Sequence, residues 1–254
     1  MIGFNKPKGI NLKTEQELKF IREAGRMLRE VKNIIKQNIA EGITTKELDS
    51  IAENAIYKLG GKPGFKGLYG FPGTICASFN EEIVHGIPKS RKIKDGDILS
   101  VDCGVIYEEF NSDSAFTVSI GNISNTIKSL INTTEEALKL GIQEAKPGNQ
   151  IGDIGHCIEK YSKSKGFSVV KEYVGHGIGK KLHEDPQIPN YGQKSSGPKI
   201  LSGMALAIEP MLIEGNEKTV VDEDGWTVKT ADSSMSAHFE DTIIITNDSY
   251  EIVT

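Results

Sequence analysis

Apolar residues recur at three- and four-residue steps near the start of the chain: Leu18, Ile21, Met27, Leu28, Val31, Ile34 and Ile35. That period lines one face of a helix and predicts a long amphipathic helix over 14–40. Thr14 and Glu17 have the spacing of a capping box at its start, and Glu41-Gly42 ends it. Thr44 and Glu47 repeat the box and open a second helix to about Leu59, which Gly60-Gly61 stops. Gly and Pro punctuate residues 60–73, a loop by composition. Strand-like runs are predicted at 74–79, 97–106 and 113–120. A second helical pair follows at 125–145 and 150–165, and strand-like segments fill most of 168–254, notably 204–209, 226–230 and 236–246.

The order helix, helix, strands thus occurs twice. A shift of 106 places Gly42 on Gly148, Glu47 on Asp153, Leu48 on Ile154 and Glu53 on Glu159. Helices and strands segregated in this way argue for an α+β fold, with two similar halves sharing one sheet and helices on one side. No linker separates the halves, so the expectation is a single domain over 1–254 with internal halves of about 14–121 and 122–254.

Composition narrows the class. The chain has 254 residues, 37% hydrophobic and 26% charged, with a net charge of −5. Its mean hydropathy is −0.30. This is a globular profile; it excludes a collagen, a coiled-coil rod and a largely disordered chain. The acidic balance argues against DNA as a partner. No apolar run reaches the roughly 20 residues of a membrane helix. The N-terminus, MIGFNKPKGINLK, lacks the apolar stretch of a secretion signal, so the expected location is cytoplasmic. Cys76, Cys103 and Cys157 are widely spaced and form no CxxC pair. They read as three buried small hydrophobes, not as disulfides or a structural zinc site.

The chemistry concentrates in a few segments. In DGDILSVDCGVIYEEFNSDSAFTVSIG (95–121), Leu99, Val101, Cys103 and Val105 share one face of a strand, and Ser100, Asp102 and Gly104 the other. On the next strand Asp113, Ala115 and Thr117 alternate with Phe116, Val118 and Ile120. A hairpin turning near Tyr107-Glu108 sets Asp102 roughly opposite Asp113, where directly paired Cβ atoms lie about 5 Å apart. Two carboxylates that close repel unless a cation lies between them. By these residues alone they are either surface aspartates at strand ends or one half of a cation site. Glu209 ends the apolar run GMALAIEPML, and Glu240 lies in SAHFEDTIIIT on the face of His238 and Thr242. A buried carboxylate is costly unless it is paired or binds metal, whereas a strand-end acid is simply solvated. His176 and His183 fall in YVGHGIGKKLHEDPQIPNYG, where Gly175, Gly177 and Gly179 allow backbone and ligand to come close. His85 stands in NEEIVHGIP, and His156, in a predicted helix beside Cys157, reads as structural or solvated.

The motifs VHGIP, DGDILSVD, SDSA, GHGIGKKLHEDPQIPNYG, AIEPM and SAHFEDTI, from about residue 14 to Tyr250, together resemble the type I methionine aminopeptidases in order and spacing. The resemblance implies the pita-bread fold: two pseudo-symmetric halves, a curved antiparallel sheet and helices on its outer face. It implies removal of the N-terminal methionine from nascent polypeptides with a small second residue, in the short form without an N-terminal zinc-finger extension. It also implies two divalent ions bound by Asp102, Asp113, His176, Glu209 and Glu240, with Asp113 and Glu240 bridging them. Hard oxygen ligands with one imidazole suit Mn²⁺, Fe²⁺ or Co²⁺ at least as well as Zn²⁺. Metals about 3.5–4 Å apart hold a bridging hydroxide able to attack the first peptide carbonyl. By the same resemblance Glu209 shuttles the proton, His183 stabilises the oxyanion, and His85 contacts the substrate amide. Phe71, Cys76 and Trp226 line the methionine pocket. Leu68 and Leu182 stand where relatives often carry aromatics, which changes the pocket's shape and not its apolar character. A monomer is implied. The basic run KSRKIK (89–94) is either a solvated loop or a weak contact with the ribosome.

Two alternatives share the fold. An X-Pro aminopeptidase or prolidase uses the same five ligands but usually carries an extra N-terminal domain. A non-catalytic pita-bread binding protein typically loses ligands, and all five are present here.

Overall fold

The computed structural model describes residues 9–254; the N-terminal stretch read above for a secretion signal lies, up to residue 8, outside the described residues. The first half comprises α1 (Glu15–Asn38), α2 (Thr45–Lys58), β1 (Lys62–Pro63), β2 (Ile75–Phe79), β3 (Glu82–Val84), β4 (Ile98–Tyr107) and β5 (Phe110–Ser119). The second opens on α3 (Asn125–Glu144) and α4 (Ile151–Ser164), then β6 (Ser168–Val169), β7 (Gly175–Gly177), β8 (Glu184–Ile188), β9 (Ala205–Ile208) and β10 (Met211–Ile213). It closes with β11 (Thr219–Val221), β12 (Val228–Thr230), β13 (Ser236–His238), β14 (Asp241–Ile245) and β15 (Tyr250–Ile252). No helix among the described residues is long and apolar enough to cross a membrane.

Both expected capping boxes form. Thr14 and Thr44 accept the N–H of Glu17 and Glu47 at 3.4 and 3.2 Å, and each glutamate accepts the cap N–H at 2.8 Å. An N-cap of this kind stabilises a helix by about 1 kcal/mol. The repeat is structural. Gly42 and Gly148 share a left-handed backbone (φ 93° and 99°), and Thr44 and Gln150 each make an isolated antiparallel bridge, to Lys92 and Lys199. Leu48 and Ile154 are fully buried at matching places in α2 and α4. Their apolar faces pack on separate clusters. Met27, Leu28, Val31 and Ile35 of α1 join Leu99, Val101 and Phe116, whereas Leu138, Ile142, Ile154 and Ile158 join Leu206, Ile208 and Ile243.

This is the pita-bread fold, and every strand pair is antiparallel. The expected single sheet is divided into four ladders: β1, β2 and β5 around β4; β13-β10-β6; β11-β12-β3; and β15-β14-β9-β7-β8. They are stitched together. β3 of the first half pairs with β12 of the second, and β5 runs along residues 238–242. There Ala115 and Glu240 exchange N–H···O bonds of 3.3 and 3.0 Å, and the Thr242 hydroxyl accepts the N–H of Asp113 and donates to its carbonyl.

Two expectations need correction. The β4–β5 hairpin turns at Glu108-Glu109, both with positive φ, one step later than expected. Asp102 therefore pairs with Ala115 and Asp113 with Gly104, so the two aspartates are diagonal neighbours on one face. A two-residue turn with left-handed backbone at both positions matches strand twist and sets the register. Cys157 is only half-buried, although Cys76 and Cys103 are buried as expected.

Candidate active site and metal centre

Alternation along β4 and β5 turns Asp102 and Asp113 to the face opposite the helices. The seam with residues 238–242 then brings Glu240 to Ala115, diagonal to Asp113. His176 lies on β7, held between β8 and β9. Its flanking glycines serve this packing and not ligand access: a Cβ on Gly175 would lie 2.5 Å from the Ala207 carbonyl, and one on Gly177 2.2 Å from that of Asp185. Glu209 follows β9 directly. Ligand atoms of Asp113, His176 and Glu240 lie within 4.8 Å of one another. His176 Nε2 is 3.6 Å from Glu209 Oε1 and 3.9 Å from Asp113 Oδ2. The five residues expected to act together thus line one cavity of about 280 Å³, along with His85, His183, Phe71, Cys76 and Trp226.

The donor atoms fit a cation. Asp102 Oδ1, Asp113 Oδ1 and Glu240 Oε1 are buried with no hydrogen-bond partner. Orphaned buried carboxylate oxygens are costly, so the cluster is built to be neutralised by something bound. His176 Nδ1 lies 2.9 Å from the Gly177 carbonyl. Assigning the proton to Nδ1 makes that contact a hydrogen bond and leaves the Nε2 lone pair aimed at the carboxylates, the tautomer of a metal-binding imidazole. Burial pushes Asp102 up to about 7. Burial, with the added charge of Asp102 and Glu209, holds Asp113 well above the usual carboxylate range. Burial and then Asp102 raise Glu209, and burial, then Asp113, Glu209 and Asp102, raise Glu240. Burial, then the His183 ring, brings His176 down to about 3, so it is neutral and able to coordinate.

The remaining walls are positioned by ordinary packing. Asp49 of α2 accepts the N–H groups of Thr74 and Ile75 at 2.7 and 3.0 Å, which anchors the start of β2 and presents Cys76. His85 has φ 60° and stands edge-on to Tyr173. His183 sits at the rim, exposed, edge-on to His176 at 4.6 Å between ring centroids and stacked on Tyr69. Its loop is held by Asn111, which donates to the Gly179 and Lys180 carbonyls, and by the buried ion pair of Lys13 with Glu184 at 2.9 Å. Phe71 meets Trp226 edge to face at 5.2 Å. Leu68 and Leu182 both line the cavity, which keeps that wall aliphatic. His156 lies apart, half-buried, with Nδ1 3.4 Å from the Gly192 carbonyl.

Sequence reasoning passed over Phe65, Tyr69 and Tyr173, which also line the cavity. Phe65 and Tyr69 stand beside glycines in GFKGLYG, and Tyr173 lies two residues before Gly175. His238, which shares the Glu240 face, is fully buried with Nε2 3.8 Å from Glu209 Oε2.

The fold and the carboxylate–imidazole centre define a metal-dependent peptidase. The chain belongs to metallopeptidase family M24, whose family model matches residues 19–247. Within that family it falls with the type I methionine aminopeptidases. It is 52% identical to methionine aminopeptidase 1 of Bacillus subtilis over 242 residues, covering 95% of this chain and 98% of that one. It is 49% identical to the methionine aminopeptidase of Clostridium perfringens over 245 residues, covering 96% and 98%. The crystal structure of methionine aminopeptidase from Thermotoga maritima superposes with a TM-score of 0.95 at 43% identity, covering 97% of this chain and 99% of that one. A prolidase from Pyrococcus furiosus shares the fold alone, at 23% identity and a TM-score of 0.79, and the match spans 65% of its length. The family implies divalent metal ions.

Proposed function

We infer that the chain is a metal-dependent aminopeptidase that removes the N-terminal methionine from nascent polypeptides, with a small residue preferred in the second position. The observation that carries this reading is the junction, in one cavity, of orphaned carboxylates with an apolar pocket. Asp102, Asp113, His176, Glu209 and Glu240 would hold two divalent ions, of Mn²⁺, Fe²⁺, Co²⁺ or Zn²⁺. When bound, such ions polarise a carbonyl and make water nucleophilic near neutral pH.

The chain's own residues supply the rest. Phe71, Cys76 and Trp226, with Phe65 and Leu68, hold the methionine side chain; a flexible thioether suits an aromatic and sulfur-containing wall. His85 hydrogen-bonds the substrate amide. Glu209 moves the proton from water to the leaving amine, and His183 donates to the oxygen that gains charge. Both halves of the chain furnish ligands, so the two act as one catalytic domain. The enzyme works as a monomer in the cytosol. A weak ribosome contact would fall to Lys92 and Lys94, since Lys89 pairs with Asp224 at 2.9 Å and Arg91 lies over the Phe79 ring.

The test is peptide hydrolysis after metal removal and reconstitution with Mn²⁺ or Co²⁺, comparing Met-Ala-Ser with Ala-Pro-Ala. Metal-dependent release of methionine from the first alone is expected. Cleavage of the proline peptide alone would move the activity to a proline-directed peptidase, and cleavage of neither, with metal bound, would leave a binding protein. His183→Ala is expected to lower kcat about 10²–10³-fold, the cost of losing one donor to a developing oxyanion, with metal content unchanged. Loss of metal would instead make His183 a ligand. His156→Ala, away from the cavity, should match the unmodified enzyme in both.

A further inference from the structure

The seam that joins the two halves has a back face. Asp113 and Glu240 point into the cavity, so their neighbours Ser114 and Asp241 point the other way, toward α1. These two residues sit directly opposite each other, because Ala115 pairs with Glu240 one step along. Lys32 of α1 reaches them both. Its Nζ donates to Ser114 Oγ at 2.5 Å and to Asp241 Oδ1 at 3.3 Å. The lysine side chain is 12% exposed and that of Asp241 23%. The Ser114 hydroxyl lies 2.6 Å from the Glu240 carbonyl and 3.2 Å from Asp241 Oδ1 and donates its one proton there, while Thr254 Oγ1 donates to Asp241 at 2.9 Å. Lys36, one turn along α1, lies over the Phe116 ring instead.

We propose that Lys32 is a positioning residue for the metal centre: it clamps Ser114 to Asp241 and thereby fixes the spacing between Asp113 and Glu240 across the seam. Two physical consequences follow. The two carboxylates belong to different halves of the chain, so their separation depends on the seam and not on either half alone. The ammonium group also ties the two strands together from behind, so their spacing is held by a charged contact as well as by backbone hydrogen bonds. This inference rests on the reading of Asp113 and Glu240 as metal ligands.

The test measures Mn²⁺ binding to the apoprotein by calorimetry, and kcat and KM for Met-Ala-Ser at saturating Mn²⁺, in Lys32→Met, Asp241→Asn, the double variant and Lys36→Met. Lys32→Met is expected to weaken Mn²⁺ binding about tenfold or more, the lower end of what losing an outer-shell partner costs, and to lower kcat with KM unchanged. The double variant should be no worse than Lys32→Met alone, because residues in one network are not additive. Lys36→Met, which removes the same charge without touching the seam, should stay within about twofold of the unmodified protein, as distant surface changes do. Should Lys32→Met fail to fold, Asp241→Asn carries the same pair of readouts. A lowered melting temperature with metal affinity and kcat unchanged overturns the proposal, as does an equal effect of Lys36→Met. The parallel variant Asp113→Ala separates the two readings. If it keeps its metal, the ligand assignment fails; if it loses metal while Lys32→Met does not, only the clamp fails.

Discussion

Replacing Asp113 or Glu240 with alanine is expected to abolish both metal binding and methionine release. Each lies at the seam, each is nearly fully buried, and each has an oxygen with no protein partner. If both are ligands, as proposed, removing either takes away a donor that no neighbour replaces, since Asp102 stands on β4 and Glu209 follows β9. Metal assistance is worth several kcal/mol of transition-state stabilisation. At 1.36 kcal/mol per factor of ten, a loss of about 4 kcal/mol is roughly 10³ in rate, so the activity falls to background. Steady-state assays with Met-Ala-Ser, alongside metal analysis of the purified variants, check both halves of the statement. An active Glu240→Ala enzyme would falsify the shared-ligand arrangement.

The second large effect is on the stability of the metal-free protein. Asp102, Asp113, Glu209 and Glu240 all hold protons in the fold to higher pH than they would unfolded, with Asp102 at about 7. Such groups favour the folded state at low pH and lose that contribution as pH rises through their folded values. Four histidines act in the opposite sense, His183 among them, its imidazole lowered by burial. Burial holds His176 and His238 near 3 and His85 near 4, so they favour the fold only once the unfolded chain is itself deprotonated, above about 6.5. Below that pH the two sets largely offset each other. Above it only the carboxylates still titrate. The melting temperature of chelated protein is therefore expected to fall as pH rises from about 6.5 to 8.5, before thiols and phenols titrate. Divalent metal reverses the trend, because ligands must be deprotonated to bind and the fold gains RT ln(1 + [M]/Kd), about 2.7 kcal/mol at 100 Kd. Thermal melts with and without Mn²⁺ across this range measure the gap. A gap that stays constant with pH would show that the carboxylates do not carry the metal.

Much of this was legible in the residues themselves. The capping boxes at Thr14 and Thr44 marked two helix starts to within a residue, because a cap is a contact made inside four residues. The alternation in 98–106 separated Asp102 from Val101 and Cys103, because a strand has a period of two wherever it lies. Motif spacing singled out Asp102, Asp113, His176, Glu209, Glu240, His85 and His183 as candidates, and all seven line one cavity. The register of the hairpin was not legible to within a step, since it depends on which two residues accept a left-handed backbone, and several polar pairs near Glu108 could do so. Nor were three further walls of the pocket: Phe65, Tyr69 and Tyr173 sit in irregular segments whose course is set by what they pack on.

What the sequence determined by itself was local and periodic: where helices begin, which face of each strand is apolar, and which carboxylates and imidazoles are out of place in apolar runs. Tertiary structure alone decided that Asp113 and Glu240, more than a hundred residues apart, meet across a seam held by Thr242, Ala115 and Lys32. It also decided that Asp102 lies diagonal to Asp113 and that glycines 175 and 177 serve strand packing. The reason is physical. Caps, alternation and helix period arise from interactions a few residues apart along the chain. The separation of two carboxylates on different halves is set by hydrogen bonds and packing that exist only once the halves have closed on each other.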